Sequence, residues 1–206
     1  MTHRDFGFYY ASDGGKAAPP KFGKRAGLSN WKRIADTFYR ASEVIFIQTC
    51  KDEEDLIRNQ ELADQKKPVQ WDYVPRLDSL YCLHIGICLE NMIKGLIIHH
   101  IPSLVAGTKL DRSLTTHNLK NLISRIPKYT LLEDESMLFE FLTTKIKWYS
   151  KYPIPIEAAD LPNVARHNVQ EIRKIFLTIY NKLYLLMEAT GKLAWTYRGY
   201  EFSPDK

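Results

Sequence analysis

From Val74 to Ile101 the hydrophobic pattern reads as one long helix. Leu77, Leu80, Tyr81, Ile85, Cys88, Leu89, Met92, Leu96 and Ile97 recur every three or four positions. That is the period of a helix face turned toward a core. Leu83, Ile87, Ile93 and Ile98 widen the stripe until Asp78, His84, Glu90, Asn91 and Lys94 remain as a narrow polar seam. So little polar surface predicts a helix in the middle of a bundle, with neighbours on most sides.

The other segments repeat the helical period around this one. Ser29 or Asn30 is placed to cap a first helix over Trp31–Cys50, with Trp31, Ile34, Ala35, Phe38, Ala41, Ile45 and Thr49 inward. Asp52, Glu53, Glu54 and Asp55 suit the first turn of a short second helix, because carboxylates complement the dipole there. It ends before Lys66-Lys67-Pro68. After Pro102, residues 103–114 form a loop. Thr115 or Thr116 then opens a short helix with Leu119, Leu122, Ile123 and Ile126 on one side.

A helix from Glu133 to Tyr149 follows, broken at Lys151-Tyr152-Pro153-Ile154-Pro155 because each proline restricts the residue before it. The last long helix runs from Asn163 to Thr190, with Gly191 as its C-cap. No alternating strand of useful length and no internal repeat interrupts the series. The expectation is an all-α chain: an irregular basic and aromatic arm over 1–28, a helical bundle over 29–191, and a tail over 192–206 that packs on it.

Composition narrows the picture only a little. The 206 residues carry a formal charge of +5, and 45% apolar residues lie in the ordinary globular range. Basic charge is compatible with an anionic partner and equally with a solvated surface. Three cysteines, Cys50, Cys82 and Cys88, form no CxxC pair, which points to buried thiols in a reducing compartment. MTHRDFGFYY has no secretory pattern, and His84, Glu90, Asn91 and Lys94 argue against a membrane span. A cytoplasmic chain is expected.

Candidate chemistry is sparse. Adjacent helical residues diverge, so His99-His100 is a poor chelate, and neither it nor the 52–55 carboxylates predict a metal or another cofactor. Glu90 and Lys94 make a favourable ion pair four apart, suited inside a bundle to ordering other polar groups. Lys145, Lys147 and Lys151 interleave with Trp148, Tyr149 and Tyr152, a pattern that suits single-stranded RNA or lysines covering an aromatic edge. His117 reads either as a proton-exchanging group or as a side chain bonding a free backbone group near a helix start. Asn118 either positions a substrate or caps that helix.

Three pieces in order carry a family resemblance: Leu89-Glu90-Asn91-Met92-Ile93-Lys94-Gly95-Leu96, then Thr116-His117-Asn118-Leu119-Lys120-Asn121-Leu122, then Lys147-Trp148-Tyr149-Ser150-Lys151-Tyr152-Pro153-Ile154-Pro155. Over residues 75–188 the chain resembles bacterial HEPN-like proteins, with their Glu/Lys-bearing helix, His-[Asp/Asn]-Leu helix start and Tyr-Pro-x-Pro segment. The resemblance implies an antiparallel four-helix bundle, here with extra N-terminal helices, and usually a homodimer. It implies binding of a nucleotide, RNA or a protein partner such as an antitoxin, in toxin–antitoxin or phage-defence systems.

Some members of that family are metal-independent ribonucleases with four to six residues between an arginine and a histidine. Arg112 and His117 fit the loose form and become the candidate catalytic pair, meeting across a dimer. In the family's nucleases this motif usually lies within the second long helix, whereas here it straddles a loop and a helix start. Asn118, Lys120, Lys147, Lys151 and Tyr152 are the candidate binding residues.

Overall fold

The structure, a computed structural model, describes residues 27–69, 77–106, 109–127, 129–149 and 168–190. The arm, the tail, and the expected site residues Lys151 and Tyr152 lie outside the described residues. Within them the chain is mostly helical: α1 (Leu28–Asp64), α2 (Asp78–His100), α3 (Leu119–Ile123), α4 (Glu133–Thr144) and α5 (Val169–Ala189). α4 continues into a π-helical turn, Lys145–Tyr149.

The centre is where the hydrophobic pattern puts it. α2 is buried from Tyr81 almost without interruption to Ile98. It is the one described helix long and apolar enough to cross a membrane, and most of it is covered by protein. As described it begins at Asp78, with the Leu77 carbonyl accepting a helical bond from the Tyr81 amide; the expected start at Val74 lies outside the described residues.

The first two expected helices are one. Leu28–Asp64 runs 37 residues without a break. No glycine or proline occurs in it, and two of the carboxylates expected to open a new helix, Asp52 and Asp55, instead pair along this one, as Asp64 does at its end. Gln48 bonds Asp52 at 2.7 Å, Arg58 bonds Asp55 at 2.8 Å and Gln60 bonds Asp64 at 3.0 Å. Ser29 and Asn30 are inside the first turn, not its caps, because the helix starts one residue after Gly27. It ends where Lys66 turns to a φ of 55° and its amide bonds the Ala63 carbonyl.

α1 meets α2 along residues spaced by seven: Leu28, Ala35, Ser42 and Thr49 are its buried positions. A strict seven-residue seam is narrow, and small side chains let two helix axes approach closely. Ser42 and Thr49 tolerate burial because each hydroxyl donates to a carbonyl of its own helix, Tyr39 at 2.7 Å and Ile45 at 2.8 Å. On the facing helix is Gly95, where a Cβ would lie 2.7 Å from Trp31 Cβ.

α5 is the clearest amphipathic element, burying Val169, Ile172, Phe176, Ile179, Leu183 and Met187. As described it runs from Val169, with the Asn168 side chain accepting the Gln170 amide as an N-cap; the expected start at Asn163 lies outside the described residues. It is tied to α1 by Arg173, which forks onto Glu43 at 2.6 and 3.3 Å, and by stacking of Tyr39 on Tyr180, with centroids 4.6 Å apart. Buried Glu135 in α4 accepts from Lys182 of α5 at 2.6 Å, from the Tyr129 hydroxyl and from the Leu132 amide.

Tyr81 is wholly buried, and its hydroxyl is the one buried side-chain polar atom without a hydrogen bond among the described residues. An unbonded buried hydroxyl costs free energy that its removal recovers. Tyr81→Phe is therefore expected to leave stability unchanged or raise it by up to about 1 kcal/mol. Urea unfolding measures this, and a clear loss of stability would mean that the hydroxyl has a partner.

Candidate functional site

The loop from α2 to α3 departs from the sequence expectation in its internal order. It contains a small antiparallel ladder, β1 (Val105–Ala106) against β2 (Lys109–Leu110), and a 3-10 turn over Arg112–Leu114. The turn holds because Asp111 accepts the Ser113 amide at 2.8 Å and the Thr115 hydroxyl donates to the Arg112 carbonyl at 2.7 Å. The Ser113 side chain and then the Ser113 amide, by hydrogen bonding to the carboxylate, keep the Asp111 carboxyl below its ordinary range. Leu114 is fully buried and plugs the loop into the core. From the turn just beyond α3, Arg125 donates to the Ser113 carbonyl and hydroxyl at 3.2 and 3.3 Å.

The end of the loop is fixed as firmly. Asn118 caps α3 by accepting the Asn121 amide, and its own amide donates to Thr116 Oγ1. Thr143 on α4 accepts the Leu119 amide at 3.1 Å and donates to the Phe139 carbonyl. Between these two anchors lies His117.

His117 does not bond a backbone group. Its Nδ1 lies 2.9 Å from Glu90 Oε2, and the other oxygen of Glu90 accepts from Lys94 Nζ at 2.6 Å. The Glu90 and Lys94 side chains are only 10% and 8% exposed, while that of His117 is 49% exposed. Two buried charges of opposite sign thus cancel, and the carboxylate's second oxygen reaches out to orient a ring that half faces water. Because a carboxylate accepts, Nδ1 carries the proton, and Nε2 of a neutral ring keeps its lone pair. When Nε2 also binds a proton, the three-residue cluster bears one net positive charge.

The other candidates are placed unevenly. Arg112 is exposed on the 3-10 turn, five positions before His117, and its side chain makes no hydrogen bond or ion pair among the described residues. With Lys109 and Asp111 it lines an open depression of about 250 Å³. The Asn118 side-chain oxygen is taken by capping. Lys120 is paired with Glu140 of α4, and Lys147 is exposed in the π-helical turn. The described residues contain no group of three His, Cys, Asp or Glu that could hold a metal. His99 and His100 stack edge to face, 5.5 Å apart.

No family model, no curated protein and no solved structure matches this chain.

Proposed function

We propose that the chain is a HEPN-type antiparallel helical bundle that binds RNA or a nucleotide through its phosphates, on the face that carries Arg112 and His117. The observation that carries this reading is the His117–Glu90–Lys94 cluster. A buried ion pair spends its remaining acceptor on orienting a half-exposed histidine, and the loop that holds this histidine, pinned at both ends, also carries an exposed arginine five positions earlier. Arginine forks onto phosphate oxygens, and a protonated histidine adds a second donor. A homodimer acting in a defence or toxin–antitoxin setting, with an antitoxin or other protein as a further partner, is the context that the family resemblance suggests.

A second reading is a metal-independent endoribonuclease. The specific point in its favour is the Nδ1 bond to Glu90, which fixes one tautomer and leaves Nε2 to exchange protons with a 2′-hydroxyl or a leaving oxygen. Arg112 would then stabilise the charge on the phosphorane, with the partner protomer completing the site.

Fluorescence anisotropy with a single-stranded RNA tests the first reading. Arg112→Ala and His117→Ala are each expected to weaken binding about tenfold, equivalent to about 1.4 kcal/mol. Wild-type affinity in both variants would overturn it. Incubating the same RNA in EDTA tests the second: cleavage lost in both variants supports it, and an inert wild type sinks it.

A further inference from the structure

Between the side of α2 that packs on α1 and the side that holds His117 runs a strip that stays partly open. The first side is marked by Tyr81 against Phe46, His84 against Phe38 and Gly95 against Trp31. The second is marked by Glu90 and Lys94. Leu80, Ile87 and Asn91, seven and four positions apart, share the helix face between the two. Leu80 is 41% exposed, and Ile87 and Asn91 are half-buried. From α1, Ile34 stands one turn before Phe38 on the flank toward this strip and is 38% exposed. Trp31 beside Gly95 and Phe38 beside His84 set its height, level with the middle of the strip.

The polar group of the strip is only half used. Asn91 Nδ2 donates one hydrogen to the Ile87 carbonyl at 2.8 Å, which pins the amide. A primary amide has two donor hydrogens and an acceptor oxygen. The second hydrogen and Oδ1 make no hydrogen bond among the described residues. What is left is a donor beside an acceptor, over an apolar shelf, on the residue next to the Glu90 that orients His117.

We propose that this strip is a nucleobase subsite selective for adenine, taking the base whose phosphate lies at Arg112 and His117. It rests on the phosphate-binding reading of that face. A base brings a flat apolar face and a polar edge. The face lies on Ile34 and Ile87, and the edge meets the Asn91 amide. Adenine carries an amino group beside an acceptor nitrogen at both its N1 and its N7 edges, so a pinned amide pairs with it bidentately from either side. Uracil has a carbonyl in place of that amino group and only one ring to cover the shelf. Phosphate contacts then hold the strand, and the Asn91 contact chooses the base.

Fluorescence anisotropy of the full-length chain with short labelled homopolymer RNAs tests the subsite. Oligoadenylate is expected to bind about tenfold more tightly than oligouridylate, the discrimination of one bidentate base contact. The same oligomer with purine in place of adenine lacks the amino group, and most of that advantage should go. Asn91→Leu keeps the shelf and removes the amide, and it should lose the advantage to the same degree. Equal wild-type affinities for the two homopolymers, or full adenylate preference in either the purine oligomer or folded Asn91→Leu, would overturn the subsite and leave the phosphate reading standing. Should Asn91→Leu fail to fold, the purine oligomer on the wild type decides. Binding of neither homopolymer would sink the phosphate reading itself, and the subsite with it.

Discussion

Glu90→Ala is expected to lower the unfolding free energy by about 3–5 kcal/mol, because it strands a buried lysine without its counter-ion. In a chain of this length that corresponds to a fall in Tm of roughly 10 °C. The carboxylate is held by Lys94 at 2.6 Å and by His117 at 2.9 Å, and both interactions go at once. Lys94→Met should cost less, since Glu90 keeps a histidine that can take up a proton. The double variant Glu90→Leu/Lys94→Met should recover most of the loss, as apolar replacement of a whole buried pair often does. Thermal melts of the three variants check this. If the double variant is no more stable than Glu90→Ala, the loss comes from packing rather than from an uncompensated charge.

Gly95→Val should destabilise by about 2–3 kcal/mol, the range found when extra carbon atoms are forced into a packed core. The obstacle is Trp31 Cβ, 2.7 Å from where the new Cβ would stand, with Leu28 Cδ1 and Trp31 Cγ each at 3.2 Å. An atom attached directly to the backbone cannot swing aside, so α1 has to move away from α2 along its seven-residue seam. Gly86→Ala is the control. Its new Cβ meets the flexible end of Ile146 at 3.0 Å, and alanine gains about 1 kcal/mol of helix propensity over glycine. Near-neutral Gly86→Ala beside a severe Gly95→Val is the expected pair of results in urea unfolding. Equal effects at the two positions would remove the argument for close helix approach.

Several boundaries were hidden by local chemistry that another choice outweighed. The acidic run at 52–55 looks like a helix start, yet side-chain pairs three and four residues apart satisfy it equally well in mid-helix. Ser42 does not advertise burial, because its hydroxyl is satisfied by its own helix only once that helix exists. Glu90 and Lys94 were legible as an ion pair. That the pair also orders His117 was not, because the bond spans 27 residues and depends on how the intervening loop folds.

The sequence by itself determined that the chain is helical, that the stretch ending at Ile101 lies at the centre, and that Val169 to Met187 presents one apolar face. Period-3.6 hydrophobicity encodes these features locally, so no knowledge of neighbours is needed. Only the tertiary structure decided that Glu90 faces His117 and that Arg173 clasps Glu43. Each of these contacts joins residues far apart in the chain, and burial of the apolar faces, not the polar residues themselves, sets the distance between them.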